Sequence, residues 1–183
     1  MFIKINRSAD EILNSIKFDQ ILSMATYTTE IASDKIISDN PIHQRLLQAY
    51  YLAKPYVKGD ILELGCGEGR GVELLAPLAE SYVALDKIAS VINALKRKYP
   101  EVDFRQAVFP PFEGVADNSF DSIVSFQVIE HVKADKQFLQ EIHRVLKPGG
   151  RAVLTTPNIK KTLTRNPWHI REYTAQELTD LAK

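Results

Sequence analysis

The stretch DILELGCGEGRG, residues 60–71, sets four glycines behind an apolar run. A backbone that bare can cradle a dinucleotide phosphate, let another cofactor approach closely, or merely turn a corner. The spacing narrows the choice. Glycines at 65, 67, 69 and 71 read G-x-G-x-G-x-G, whereas a dinucleotide fingerprint counted from Gly65 needs its third glycine at position 70, which is Arg70. Asp86 closes the next apolar run, YVALD. A carboxylate there accepts two hydrogen bonds from a ribose diol, or caps the helix that follows, and the two roles are compatible. Loop and acid together indicate an adenosine-containing cofactor.

Few side chains nearby could take a proton from an acceptor. His131, in IEHV, is the best placed for general-base work, with the alternative that it packs or caps the next helix. His43 and His169 are less well placed. The segment NPWHIREYT reads as an ordinary surface loop, or as a substrate-facing one with Trp168 as an apolar wall.

The elements that must position these groups alternate. Ile61–Leu64 reads as a first strand, then a helix with Val72, Leu75 and Ala79 on one side, and a second strand over 82–86. A helix over 88–99 stops at Pro100. Strands follow over 102–106 and 120–126, then a helix marked by Phe138, Leu139, Ile142, Val145 and Leu146. KPGG ends that helix, RAVLTT is strand five, and Thr174 with Glu177 forms a capping box for a last helix. This order predicts an α/β fold, a Rossmann-like, doubly wound parallel sheet of five strands in the order 3-2-1-4-5, with ligands at the carboxyl ends of the strands. Residues 59–183 form this core. Residues 1–58 form an N-terminal helical arm or lid, whose clearest helix opens at Asn40-Pro41 and ends near Pro55.

Composition bounds the function classes. A chain of 183 residues, 45% hydrophobic, buries one good core. Its 23 basic and 23 acidic residues cancel, so no net field favours nucleic acid or an anionic membrane. The single cysteine, Cys66, suits a reducing cytosol, and there is no long apolar run to span a membrane. A soluble cytoplasmic protein is expected.

From Gly59 onward the chain resembles the class I S-adenosylmethionine-dependent methyltransferases, particularly the small-molecule group similar to the ubiquinone-biosynthesis enzymes. The resemblance rests on ILELGCGEG, ALD, NSFDSIVSFQVIEHV, RVLKPGG and VLTTPN, in order and at the right spacing. It implies that Glu63, Gly65, Cys66 and Gly67 surround the methionine part of the cofactor, that Gly69 belongs to the same cofactor site, and that Asp86 holds the ribose hydroxyls. It places Lys87 beside the adenine and Gln127 near the methionine. Ala107, Val108 and Phe109 meet the adenine edge and face, although Val108 stands where relatives commonly carry an acid. Arg45, Tyr27 and Glu30 lie in the region that folds over the cofactor in related enzymes. Some related enzymes also carry an E-x-x-E-H ligand cluster; here Gln127, Glu130 and His131 occupy it, an amide replaces the first carboxylate, and no metal is expected.

The implied reaction is methyl transfer to a small-molecule or glycan-like acceptor, at oxygen. The alternatives are a nicotinamide-dependent oxidoreductase and a non-catalytic scaffold of the same fold. Relatives usually continue with two antiparallel strands beyond strand five, so this chain is expected to be a portion of a longer protein, or to cover its strand-five edge with a second copy.

Overall fold

The computed structural model describes residues 40–162 and 166–183. Tyr27, Glu30 and the rest of the arm before residue 40 lie outside the described residues. The elements are α1 (Asn40–Ala53), β1 (Gly59–Leu64), α2 (Val72–Leu75), β2 (Ala79–Asp86), α3 (Ala89–Lys98), β3 (Asp103–Gln106), β4 (Phe120–Phe126), α4 (Asp135–Val145), β5 (Leu146–Thr155) and α5 (Ala175–Leu181). Short 3-10 turns at Lys54–Tyr56, Ala76–Leu78 and Ile129–His131 connect them.

The five strands form one parallel sheet in the expected order β3-β2-β1-β4-β5. β1 lies in the middle, and its last four residues are buried because helices cover both faces. Alternate residues feed two cores. Ile61, Ala84, Phe104 and Val124 pack with Tyr50 and Ala53 of α1, Val72 and Leu75 of α2, and Ile92 and Leu95 of α3. Leu62, Leu64, Leu85 and Ile123 pack on the other face with Phe138, Ile142 and Val145 of α4 and with Phe112 and Tyr173. Helix α1 therefore shares a core with the sheet.

Two local expectations are corrected. The helix after the glycine loop stops at Leu75, and Ala79 begins β2. Pro77 has no N–H to give and forces a 3-10 turn over Ala76–Leu78. KPGG does not precede strand five but lies within it: Phe120 pairs with Leu146, yet Ser122 pairs with Arg151, so the segment between bulges out of the ladder. Lys147 in that bulge bonds Asp60 Oδ2 at 2.6 Å and Asp121 Oδ2 at 2.7 Å, tying β1, β4 and β5 together at the end opposite the glycine loop. The capping box of Thr174 and Glu177 forms as expected. At the sheet's edge none of the residues of β5 is fully buried.

Candidate functional site

The carboxyl ends of β1, β2, β4 and β5 open into one cavity of about 1080 Å³. Its floor on one side is the glycine loop. Gly65 N and Cys66 N both donate to Leu85 O, at 2.8 and 3.1 Å, so the chain turns sharply off β1 while staying tied to β2. Gly65 has φ +76°, and a Cβ there would collide with Val128 Cγ2. Gly69 has φ +79°, and its Cβ would meet Leu95 Cδ2 at 2.5 Å. The first glycine lets β1 turn beside the Val128 loop, and the third lets the loop lie on α3.

Asp86 organises this side. Its Oδ2 accepts from Gly67 N at 2.9 Å and its Oδ1 from Ile88 N at 3.0 Å. One carboxylate thus holds the glycine loop and the entry to α3, and each oxygen has a second lone pair for a ligand hydroxyl. Asp86, Lys87 and Ile88 line the cavity together with Ala107, Val108 and Phe109 from the loop after β3. Val108 is 74% exposed, and Phe109 stacks on Phe138 with ring centroids 5.7 Å apart.

Glu63 is placed differently from the cavity-lining acids. It is buried beneath the glycine loop, where Tyr50 Oη donates to Oε1 at 2.6 Å and Tyr82 Oη to Oε2 at 2.5 Å. Burial pushes its carboxyl up to about 7, the nearby Asp86 adds to the rise, and the two phenols and Arg70 oppose it. Glu63 and Gly69 are not among the cavity-lining residues; Gly65, Cys66, Gly67, Asp86, Lys87, Ala107, Val108, Phe109, Gln127 and His131 are. The Cys66 thiol is buried, and burial, with Glu63 and Asp86 nearby, raises it well above its ordinary value.

The opposite wall comes from the end of β4 and the segment after β5. Gln127 sits at φ +58°, a costly backbone conformation for a residue with a Cβ, and it aims the chain out of β4. Its N donates to Thr155 O at 2.8 Å, and its Nε2 to Thr155 Oγ1 at 3.3 Å. His131 Nδ1 faces Trp168 O at 2.9 Å, and the His131 and His169 rings meet edge to face at 5.0 Å. His169 Nδ1 is 2.6 Å from Glu172 Oε1. Glu130 is fully buried; its backbone oxygen accepts from Ile170 N and Arg171 N, and its Oε2 accepts from Thr156 Oγ1 at 3.0 Å. Burial raises the Glu130 carboxyl, against its own backbone N–H, Thr156 and His169.

Several further residues line the cavity. Arg70, in sequence terms only a missing glycine, lines the cavity and donates through Nε to His43 Nδ1 at 2.9 Å. Arg45 and Tyr50 of α1 line it too, as do Thr156, Lys161 and His169. His169 lies 38 residues from His131 in the chain, and only the fold brings the two together.

The residues present fit S-adenosylmethionine. Gly65, Cys66 and Gly67 present a nearly bare backbone to the cavity, Asp86 offers a carboxylate to a diol, and the volume exceeds what one such molecule needs. A family described as "Methyltransferase domain" matches residues 62–154, about half of the chain. The chain belongs to the class I S-adenosylmethionine-dependent methyltransferases. Among individual relatives, a Mycolicibacterium smegmatis protein described as a "probable S-adenosylmethionine-dependent methyltransferase" is 40% identical over 127 residues, covering 67% of this chain and 49% of that protein. The mitochondrial ubiquinone biosynthesis O-methyltransferase of Mus musculus is 32% identical over 149 residues, covering 78% of this chain and 38% of that protein. Among solved structures, the DhpI–SAH complex superposes with a TM-score of 0.62 at 25% identity, covering 76% of this chain and 74% of that one. The chain spans about half the length, or less, of these two curated relatives.

Proposed function

We propose that this methyltransferase-family chain binds S-adenosylmethionine over the glycine loop and transfers its methyl group to an oxygen of a small-molecule acceptor. The observation that carries the reading is one cavity with two unlike walls: the Gly65–Gly67 loop with Asp86 on one side, and Gln127, His131 and His169 on the other. Bound S-adenosylmethionine supplies a methyl group already activated on a sulfonium, so the protein has to align the reactants and, for a hydroxyl acceptor, remove a proton.

In this reading Asp86 receives the ribose hydroxyls on the lone pairs that Gly67 N and Ile88 N leave. Gly65, Cys66 and Gly67 let the methionine part approach the backbone, with Glu63 and Gly69 supporting the loop from below. Lys87, Ala107, Val108 and Phe109 form the adenine side, and Gln127 closes the cavity toward the methionine. His131 is the proposed catalytic histidine on the acceptor side. The oxygen acceptor is supported by the mouse relative named as an O-methyltransferase, and a small acceptor by the cavity's size. A reducing aqueous compartment accords with the lone buried Cys66, and the exposed edge of β5 is the proposed contact with a second chain.

Titration calorimetry with S-adenosylmethionine on the 183-residue chain tests the reading. Saturable one-site binding is expected, and Asp86→Ala should weaken it by about 1.5–3 kcal/mol by removing a charged acceptor. A folded chain that binds no cofactor overturns the proposal. A panel of hydroxylated acceptors, read by formation of demethylated cofactor, then identifies the substrate class.

A further inference from the structure

The acceptor wall holds a cluster that the sequence presents as two separate fragments. Glu130 and His131 end the turn after β4, and His169 arrives on the segment after β5. One ligand atom from each lies within 4.8 Å of the other two. We infer that Glu130, His131 and His169 form a site for a divalent transition cation of the zinc class, facing the acceptor side of the cavity.

Four features of the cluster carry this. Glu130 Oε1 is buried without a hydrogen-bond partner, the single such side-chain atom among the described residues. A buried carboxylate oxygen in that condition is costly unless a cation or a proton takes it up. Second, both imidazoles are oriented through Nδ1, His131 by the Trp168 carbonyl and His169 by the Glu172 carboxylate. A ring that donates from Nδ1 carries its lone pair on Nε2, and such carbonyl and carboxylate partners are the usual second layer around a metal-bound histidine. Third, the turn and the loop are fixed to each other, since Glu130 O accepts from Ile170 N at 2.8 Å and Arg171 N at 3.3 Å. The three ligands therefore need little further ordering. Fourth, His131 and His169 both line the large cavity, so an ion between them is reachable from it.

The donor set chooses the ion. A second carboxylate would favour a hard cation, but Gln127 stands at that position and turns its amide to Thr155. The structure supplies His169 in its place. Two imidazole nitrogens and one carboxylate oxygen suit Zn²⁺, Mn²⁺ or Fe²⁺ far better than Mg²⁺ or Ca²⁺. With three protein ligands the ion keeps a position open for water or an acceptor oxygen. His131 then acts on the acceptor through the ion, which has room for one acceptor oxygen.

Zinc chloride alone, without cofactor or acceptor, is the probe, so this inference and the methyl-transfer reading fail separately. The chain is stripped with chelator and dialysed, then titrated by calorimetry, with Co²⁺ absorption to report ligand geometry. One equivalent of zinc is expected, retained in millimolar Mg²⁺. His169→Asn and His131→Asn should each weaken it about 100-fold, and Glu172→Gln about 10-fold, by loosening the His169 ring. Far-ultraviolet dichroism and melting establish that each variant is folded; His169 lies on a loop, so His169→Asn serves if Glu130 variants do not fold. Absence of saturable zinc binding overturns the inference. So does binding that His169→Asn leaves unchanged, or displacement of zinc by equimolar Mg²⁺.

Discussion

On the wall made by the ends of β1 and β2, the cavity is lined by a loop whose backbone amides are tied down by one carboxylate and one carbonyl, Asp86 and Leu85 O. On the wall made by the end of β4 and the segment after β5, it is lined by side chains held by other side chains and carbonyls: His131 by Trp168, His169 by Glu172, Glu130 by Thr156. The first wall is rigid and mostly local in sequence: residues 63–88 form it, completed by Ala107, Val108 and Phe109 from the loop after β3. The second joins fragments from two parts of the chain and contains an unpartnered buried oxygen. In the proposed function the difference would separate two jobs: a constant ligand met by fixed backbone geometry, and a variable one by side chains that can be exchanged.

The largest expected break lies on the rigid wall. Gly65→Ala drives a Cβ into Val128 Cγ2, in a backbone at φ +76°. Val128 is β-branched and stiff, so the loop must move rather than the side chain. A loss of roughly 2–4 kcal/mol of stability is expected, with cofactor binding weakened beyond that. Urea denaturation and calorimetry check both. An Ala variant with unchanged affinity would mean that the loop is not the cradle.

What is legible in the sequence follows from the same contrast. The strands, the glycine loop and Asp86 can be read because their signals are contiguous: apolar runs, glycine spacing, an acid at a strand end. The motif around Glu63 suggests a side chain lining the ligand, but its partners Tyr50 and Tyr82 lie in two other elements, and only packing shows that it is walled in. His169 is only half legible, for the complementary reason: the sequence marks it as a less well placed histidine on a loop that either lies on the surface or faces a substrate, and its neighbours stay hidden. Nothing within NPWHIREYT signals that Glu130 would bind the segment by two backbone hydrogen bonds. The early stop of α2 is legible in Pro77; the bulged KPGG is not, because its cause is the pairing of β5 with β4.

A pH series sharpens the rigid wall from beneath. The Glu63 carboxyl has an ordinary value of 4.5 and stands at about 7 in the fold, so the folded state holds its proton more tightly than the unfolded chain does. Its contribution to stability is full below pH 4.5 and is lost as pH rises through 7. The slope is about 1.4 kcal/mol per pH unit, for a change of about 3 kcal/mol across the window. Glu63→Gln should flatten that dependence in denaturant midpoints measured from pH 5 to 8. A wild-type curve flat over the same range would show that the phenols of Tyr50 and Tyr82 already compensate the buried charge.

On the acceptor wall the expected effect is kinetic. His131→Ala should slow turnover about 10²-fold, as base or as ligand, while cofactor affinity stays within a few-fold of wild type. The split matters: His131 meets the Trp168 carbonyl on the wall opposite the glycine loop. A variant that loses cofactor affinity and turnover in parallel would erase the division between the walls.

The smallest effect tests a gap in the rigid wall. Val108 occupies the position where an acid is expected to meet an adenine amine, and it is 74% exposed on the rim of the cavity. Its neighbours are held firmly, since Ala107 N donates to Asp86 O at 2.9 Å and Phe109 is anchored on Phe112 and Phe138. Val108→Asp would therefore add a carboxylate to a loop already fixed in place. Because the site is exposed, the new charge loses little hydration, and a hydrogen bond to the adenine amine would form against water as a competitor. A gain in S-adenosylmethionine affinity of about 3- to 10-fold is expected. The inosine analogue should show no such gain, because its ring oxygen would face the carboxylate unfavourably. Calorimetry with the two ligands distinguishes the cases. An equal change for both would place the adenine elsewhere in the cavity and remove Ala107, Val108 and Phe109 from the cofactor wall.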